Sequence, residues 1–267
     1  MKTQKECLAL HLGTWYGIFS ETTFFNQIPT EARHKRSQII FEQPQPEVIS
    51  QSNAYLPVEA ENEDLFPSAN PWYYQNFSAG LRFFEEGSFS NGRVQLAPFS
   101  DFATEQGFLF ENQKMRVVQQ FDSQGRISAI TTIQEARGEN SQAWLSQQIA
   151  SLAEPVDSST ALSEFFAEYE NSRWHGSATT LTADHYTPSQ QSVTLIMGRG
   201  NDFCWLAAPR LLLRSPQILP IPTTHRDRHF QIELIWLPNP EYYLGLIRRY
   251  DRQGAWQDIT LIQADRW

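Results

Sequence analysis

Lysine is absent from the second half of this 267-residue chain, where none follows Lys114. The formal net charge is −9, which argues against a nucleic-acid partner because phosphate binding needs a basic surface. Arginine alone carries the positive charge after Lys114, and arginine grips carboxylates with two parallel bonds and stacks on aromatic rings. Two interpretations stay open: a compositional bias, or a face of arginines that recognises anions or proteins.

Cysteine is also scarce, with only Cys7 and Cys204. We therefore expect no disulfide framework, and a reducing compartment fits this composition. No apolar run approaches the roughly 18 residues that a membrane-spanning helix needs, and the N-terminus lacks the pattern of a signal peptide. These features predict a soluble, cytoplasmic protein without a transmembrane segment.

Compact catalytic motifs are missing too: G-x-S-x-G, H-E-x-x-H, a Walker loop and C-x-x-C do not occur. Four weaker patterns have better structural explanations. Gly198–Gly200 is interpreted as a turn, Asp184–His185 lacks a serine partner, and Glu85–Glu86 is the shoulder of a hairpin. The arginines within His225–His229 would repel a metal ion. We therefore expect no enzymatic activity, no metal and no cofactor.

A repeat is what the sequence does contain. Residues 121–137 match residues 250–266 at a constant spacing of 129, with Asp, Gln, Gly, Ile, Thr, Ile, Gln and Arg in register. The motif W-x-G also occurs twice, at Trp15–Gly17 and at Trp174–Gly176. We interpret the chain as an internal duplication, in which each copy begins with W-x-G and ends with a D-x-Q-G hairpin and an arginine.

Short apolar segments at roughly ten-residue spacing predict an all-β, antiparallel fold with a few short helices. Helices are predicted before each W-x-G motif, over residues 7–12 and within 138–173, where Ser158–Ser159 is a candidate N-cap. Ser90–Arg93 predicts a hairpin turn, because Asn-Gly tolerates the positive φ of a type I′ turn. The proline-rich, acidic segment 53–71 predicts a loop that only the first copy has.

The first and last strands of a closed antiparallel barrel are neighbours. A tryptophan at the base of the first strand would plug the closed end, and a glycine two positions on would leave room for the chain to bend. An arginine of the last strand would lie on the indole face. The residues assigned to these barrel-closing roles are Trp15, Gly17 and Arg137 in the first copy and Trp174, Gly176 and Arg266 in the second. Arg116 and Arg248 are the alternative cations.

His11–Phe19 resembles the opening of lipocalin-like (calycin) proteins, and Glu86–Gly92 resembles a mid-barrel hairpin. With the D-x-Q-G repeat, the whole chain resembles a family of cyanobacterial proteins of unknown function with two lipocalin-like barrels. Plastid relatives of that family include a biogenesis factor for the chloroplast ATP synthase. The resemblance implies two tandem antiparallel β-barrels, residues 1–138 with a leading helix and residues 139–267 with a helical linker. It implies no catalytic residue.

Two functional hypotheses follow. The first is a non-enzymatic scaffold, such as an assembly factor for a photosynthetic or ATP synthase complex, that binds protein partners. Its candidate partner-binding residues are Glu59, Glu61, Glu63, Asp64, Arg226, Arg228 and Arg248. The second is a carrier of an apolar small molecule (fatty acid, carotenoid or bilin) in a barrel cavity. Its candidate cavity residues, which would otherwise fill a packed core, are Trp72, Tyr74, Phe83, Trp205 and Trp236.

Overall fold

The structure is a computed structural model, and it describes residues 1–26, 28–60, 66–67, 70–97, 100–152, 158–183, 187–198, 205–208, 210–214 and 230–267. In these ranges the chain forms sixteen β-strands, three short α-helices and one 3₁₀ turn. The predicted all-β fold with short helices is confirmed. No helix in these ranges is long and apolar enough to cross a membrane.

The first half begins with α1 (Gln4–Leu8), which a reciprocal pair of bonds caps. The Thr3 side chain accepts from the Glu6 N–H, and the Glu6 carboxylate accepts from the Thr3 N–H. Nine strands follow: β1 (Gly13–Phe25), β2 (Ile28–Gln45), β3 (Val48–Pro57), β4 (Trp72–Tyr74), β5 (Arg82–Phe83), β6 (Phe89–Gly92), β7 (Phe102–Phe110), β8 (Gln113–Phe121) and β9 (Ile127–Arg137).

Two helices lead into the second half, α2 (Ser141–Leu152) and α3 (Ser158–Tyr169). Both lie where helices were predicted, because apolar residues recur there at helical spacing. Seven strands follow: β10 (Arg173–Thr182), β11 (Ser189–Ile196), β12 (Trp205–Ala208), β13 (Leu211–Arg214), β14 (Phe230–Asn239), β15 (Tyr242–Tyr250) and β16 (Trp256–Arg266).

Each half forms one antiparallel sheet whose first and last strands pair. The orders are β4-β3-β2-β1-β9-β8-β7-β6-β5 and β11-β10-β16-β15-β14-β13-β12. In both sheets each strand pairs with the next one along the chain, and the last strand pairs with the first, as in a barrel. One pairing is missing in each sheet, between β4 and β5 in the first and between β11 and β12 in the second. The first sheet curls into a half-barrel and the second is open. Two closed barrels and a duplication therefore stay predictions.

The repeated motifs occupy the same strand positions in both halves. Trp15 lies opposite Arg137, and Trp174 lies opposite Arg266. In both D-x-Q-G turns, the aspartate carboxylate accepts from the backbone N–H groups two and four residues later. The turn glycines have φ values of +75° and +79°, a region that favours glycine. Turn chemistry thus accounts for this part of the repeat.

An apolar cluster lies between the two sheets and joins them. Ring centroids of Phe108 and Trp236 are 6.1 Å apart, and those of Phe102 and Tyr250 are 5.4 Å apart. Side chains alternate between the faces of a strand, so Met115 and Val117 face this shared core while their neighbours face the inside of the half-barrel. The two sheets therefore pack back to back. The buried second-half members are Leu181, Leu211, Leu213, Phe230, Ile232, Leu234, Trp236, Leu244, Leu246, Tyr250, Trp256, Ile259 and Leu261.

Backbone hydrogen bonds also join the halves at the second D-x-Q-G turn. The Leu96 N–H donates to the Gly254 carbonyl at 2.7 Å, and the Trp256 N–H donates to the Val94 carbonyl at 2.8 Å. A Cβ atom on Gly254 would lie 2.7 Å from the Leu96 carbonyl oxygen. Glycine is therefore required here by the close approach of the first half as well as by its φ.

Two sequence interpretations are wrong in detail. Ser90–Arg93 is not a turn, since Phe89–Gly92 forms β6 and the hairpin turns at Gly87, whose φ is +100°. The segment 53–71 is not all loop, because β3 continues to Pro57. Residues 61–65 and 68–69 lie outside the described ranges. Part of the extra length of the first half instead extends a strand: β2 has 18 residues and β11 has eight.

Candidate ligand-binding site

The half-barrel holds a cavity of about 440 Å³ where its sheet is interrupted, between β4 and the β5–β6 hairpin. Aromatic side chains line one part of it: Phe41, Trp72, Tyr73, Tyr74, Phe83 and Phe89. Polar and charged side chains line the rest: His11, Gln51, Asn53, Asn76, Ser78, Asn91, Glu105, Lys114 and Arg116. The cavity is thus amphipathic rather than purely apolar.

Three of the five candidate cavity residues, Trp72, Tyr74 and Phe83, line this cavity. Trp72 is 70% exposed and lies at the mouth, whereas Phe83 is buried. Trp236 does not line it, because its ring packs against Phe108 in the shared core. The side chain of Trp205 lies outside the described part of the structure, although its backbone belongs to β12.

Four charged side chains on three adjacent strands form a network, the charged floor: Glu105, Lys114 and Arg116 line the cavity, and the fully buried Glu135 pairs with Lys114 and Arg116. Arg116 donates to both carboxylate oxygens of Glu135, from Nε at 2.9 Å and from Nη2 at 3.2 Å, and its Nη1 donates to Glu105 at 2.8 Å. Lys114 Nζ lies 3.3 Å from Glu135 Oε2. The composition gave no signal for this network, which sequence reasoning missed apart from Arg116.

Glu135, Arg116 and Lys114 stay ionised near neutral pH. Burial alone would raise the pKa of Glu135, but the charges of Arg116 and Lys114 outweigh it and lower that pKa. Burial likewise opposes the charge on Arg116, and Glu135 and Glu105 raise its pKa nonetheless. Burial lowers the pKa of Lys114 to about 8, with Glu135 opposing the change. Lys114 is therefore mostly protonated at pH 7.

Two cations lie over the ring of Trp15 beside this floor. Arg137 Cζ is 4.6 Å and Lys114 Nζ is 4.1 Å from the centre of the indole ring. The Arg137 Nη1 also donates to the carbonyls of Leu10 and Leu12, at 2.8 and 3.0 Å. Arg137 thus ties the segment after α1 to the last strand of the sheet, and both cations contact the indole ring.

Gly17 has a different role from the one that the motif suggested. A Cβ atom at Gly17 would lie 2.4 Å from the Gln134 carbonyl oxygen and 2.7 Å from Glu135 Cγ. Glycine therefore admits the last strand and the buried glutamate, rather than a bend. At Gly176 a Cβ atom would lie 2.0 Å from the Gln263 carbonyl oxygen, so the same close approach of strands explains both motifs.

His11 forms part of the cavity wall as a neutral ring. Its Nε2 lies 2.8 Å from the Gly87 carbonyl, which can only accept, so Nε2 carries the proton. Burial, followed by the charge of Lys114, holds the pKa of His11 well below its ordinary value. The rings of Phe41, Phe83 and Phe89 surround it.

Three of the four charged residues of the floor have uncharged counterparts in the second half, whereas the strand register places Glu233 at the position of Glu105. At the repeat spacing of 129, the counterparts of Lys114, Arg116 and Glu135 are Tyr243, Gly245 and Ala264. Tyr243 is buried and its ring centroid lies 5.8 Å from that of Trp174. A Cβ atom on Gly245 would lie 2.9 Å from the Tyr243 ring, so aromatic packing fills this place. The charged floor therefore distinguishes the first half from the second.

The arginine at the end of the second half contacts a different ring from the one expected. Arg266 Cζ lies 5.3 Å from the centre of the Tyr169 ring, and Nη2 donates to the Glu168 carbonyl at 3.3 Å. Trp174, its neighbour on β10, is fully buried and donates from Nε1 to Ser172 Oγ at 2.9 Å. Arg266 therefore ties α3 to the last strand, as Arg137 ties the segment after α1.

The prediction that Arg248 binds a protein partner is wrong, because this residue is fully buried between the halves. It donates to the Gly80 carbonyl at 3.1 Å, to Ser90 Oγ at 3.2 Å and to Tyr250 Oη at 2.7 Å. Its Cζ lies 4.5 Å from the centre of the Trp256 ring. Arg248 therefore anchors the β5–β6 hairpin, which is a wall of the cavity, to the second half.

The remaining candidates fall mostly outside the described residues. Glu59 is exposed, whereas Glu61, Glu63, Asp64, Arg226 and Arg228 are not described, nor are Asp184–His185 and His225–His229. Cys7 is a buried free thiol, and burial raises its pKa to about 11. In the described part of the chain, no group of three or more His, Cys, Asp or Glu residues could hold a metal ion.

Residues 1–140 match the family model for the N-terminal part of a domain of unknown function, DUF3598, which is more than half of the 267 residues. The chain belongs to the DUF3598 family. Residues 211–267 of this family member also match the model for the C-terminal domain of "Biogenesis factor required for ATP synthase 1". No curated protein sequence matches the chain.

A solved structure shares the fold of this DUF3598 protein. A DUF3598 protein of unknown function from Nostoc punctiforme is 22% identical, with a TM-score of 0.71 and the full length of both chains covered, and this shows the fold. An S-type phycobiliprotein lyase from Guillardia theta is 15% identical over 52% of this chain and 94% of its own. Its TM-score of 0.34 is too low to support an inference.

Proposed function

We propose that this DUF3598 protein is a non-enzymatic binding protein that holds a small molecule in the cavity of its first half. The observation that carries the proposal is the amphipathic cavity of about 440 Å³, which falls within the roughly 300–1,000 Å³ of small-molecule sites. The second half fills the counterpart of the charged floor with Tyr243. Among the described residues, the first sheet alone thus has lysine, arginine and glutamate at the positions of Lys114, Arg116 and Glu135.

The charged floor supports the same proposal. Burying two ion pairs costs several kcal/mol of desolvation per ion, and apolar side chains of similar volume often give equal or greater stability. The second half shows that this sheet also works with tyrosine, glycine and alanine at three of these positions. Ligand recognition gives a reason for Lys114, Arg116 and Glu135 that stability alone does not.

Native mass spectrometry of the full chain, purified without denaturant from a photosynthetic host, tests the proposal. We expect a co-purifying small molecule, and we expect Asn53→Trp, which fills the cavity from β3, to lose it. Gln190→Trp is the matched control, because Gln190 lines a separate cleft between the halves. Retention of the molecule by Asn53→Trp, or its absence from the unaltered chain, would contradict the proposal.

A second proposed function is help in assembling a protein complex. The match of residues 211–267 to an ATP synthase biogenesis factor favours it. Exposed residues in the turns before and after β15, such as Glu241 and Arg252, would then contact the partner. Affinity capture with the full chain should recover ATP synthase subunits, and Arg252→Glu should lower their yield. Capture that recovers no subunit would exclude this role.

We also propose that the two halves are copies of one lipocalin-like barrel. The matching strand partners of Trp15 and Trp174, the matching turn bonds and the matching circular strand orders support the idea. In this view Arg137 and Arg266 are the closing residues of each copy. A solved structure with unrelated strand registers in the two halves would contradict it.

A further inference from the structure

The floor of the cavity is electrically balanced. Arg116 and Lys114 supply two positive charges and Glu105 and Glu135 two negative ones, with closest contacts of 2.8 to 3.3 Å. His11, which also lines the cavity, is neutral because burial holds its pKa well below its ordinary value. An anionic or cationic group of a ligand at this floor would therefore be repelled by the side chains of like charge as well as attracted by those of opposite charge, and it would gain no net attraction.

The outer pair of the network is the one that a ligand reaches. The side chains of Glu105 and Arg116 are 23% and 11% exposed, whereas those of Lys114 and Glu135 are 1% and 0% exposed. A guanidinium has five N–H donors, and bonds to Glu135 and Glu105 within the described chain use three of them. Arg116 and Glu105 thus present N–H donors and a carboxylate acceptor side by side.

The adjoining wall is polar and uncharged. Tyr74 Oη donates to Gln51 Oε1 at 2.6 Å, and Gln51 Nε2 donates to Asn53 Oδ1 at 2.7 Å. Amide and hydroxyl groups both donate and accept, so this wall adds no preference for either sign of charge. The aromatic rings that also line the cavity favour a flat apolar surface on the ligand.

We infer that the cavity selects an uncharged molecule with an apolar ring and a hydroxyl, amide or amine group that donates to Glu105 and accepts from or lies beside Arg116. Glu105 is the residue that rejects anions. This inference rests on the proposed small-molecule binding and adds the chemical class of the ligand. A wholly apolar hydrocarbon would displace water from the remaining hydrogen-bonding groups of Arg116 and Glu105 without replacing its hydrogen bonds, which is unfavourable.

Two fluorescent probes that differ by one sulfonate test the inference on the full chain. N-phenyl-1-naphthylamine is uncharged and has one N–H, and 8-anilino-1-naphthalenesulfonate is its anionic counterpart. We expect the uncharged probe to bind at least tenfold more tightly, and Asn53→Trp to abolish that binding. Glu105→Gln should strengthen sulfonate binding at least tenfold and change binding of the uncharged probe less than threefold. Glu139→Gln, at an exposed glutamate, should change neither.

The outcomes separate the inference from the proposed function. Binding of neither probe to the unaltered chain would contradict both. Equal binding of the two probes, lost together in Asn53→Trp, would support the cavity as a binding site and overturn its selectivity. An unchanged ratio in a folded Glu105→Gln would overturn the role of Glu105. Circular dichroism decides whether that variant folds, and the two-probe comparison on the unaltered chain stands without it.

Discussion

Arg248 should be the contact whose loss most weakens the connection between the two halves. Its guanidinium is fully buried, and it holds the Gly80 carbonyl, Ser90 Oγ and Tyr250 Oη with bonds of 2.7 to 3.2 Å. Gly92 belongs to the same contact, since a Cβ atom there would lie 3.2 Å from Arg248 Nε. Arg248→Met keeps much of the volume and removes every donor.

The magnitude follows from two opposing effects. Each buried acceptor left without a donor costs about 1–3 kcal/mol, and Gly80 and Ser90 are both buried. Burial lowers the pKa of Arg248, which shows that desolvation of its charge opposes folding, so the variant regains part of the cost. We expect a net loss of about 3 kcal/mol in the free energy of unfolding, in line with other broken buried polar contacts.

Urea unfolding followed by tryptophan fluorescence and by circular dichroism measures this loss. Arg249→Met is the matched control, because Arg249 is the next residue and makes partly exposed contacts, with Asp258 at 2.7 Å and with Thr260 Oγ1 at 2.9 Å. An exposed pair of that kind contributes about 0–1 kcal/mol. A loss within about 1 kcal/mol of that of the control would refute the reasoning.

Two further predictions concern Glu86 and the W-x-G glycine. Burial raises the pKa of Glu86 from an ordinary 4.5 to about 7, so the folded chain binds this proton more tightly than the unfolded chain. The folded chain should therefore lose up to about 3 kcal/mol of stability as the pH rises between these two pKa values. In urea titrations, Glu86→Gln should match the unaltered chain at pH 4 and exceed it at pH 8; the same difference at both values would disprove this. Gly17→Ala should cost about 1–3 kcal/mol through overpacking against Gln134. Gly198→Ala, where no atom lies within 4 Å of the added Cβ, should stay within about 0.5 kcal/mol, and equal melting temperatures for the two variants would contradict the steric argument.

Local chemistry made much of the fold predictable. The D-x-Q-G turns, the helices before each W-x-G motif and the β7, β8 and β9 strands depend on turn residues and on periodicity within a few positions. The pairing of Trp15 with Arg137 also followed, because a repeated motif at both ends of a sheet predicts that its ends meet. Family membership followed from the same motifs.

The position of the cavity was not predictable, because the polar face of β8, which usually faces solvent, here faces the inside of the half-barrel. Lys114, Met115, Arg116 and Val117 alternate polar and apolar side chains, which normally places the apolar face inside. Here the apolar face covers the second sheet, and the polar face forms the floor of the cavity. The prediction that Arg248 binds a partner was wrong for a similar reason. A single arginine among apolar strand residues does not indicate that two sheets enclose it.

The shared core has a consequence for any attempt to divide this protein. A fragment ending after Arg137 would present Phe102, Phe108 and Met115 to water, and the complementary fragment would present Leu234 and Trp236. Exposed apolar patches of this kind promote association. Separately expressed fragments should therefore be insoluble or self-associating, whereas co-expressed ones should recombine into a split protein held together without a peptide bond between them.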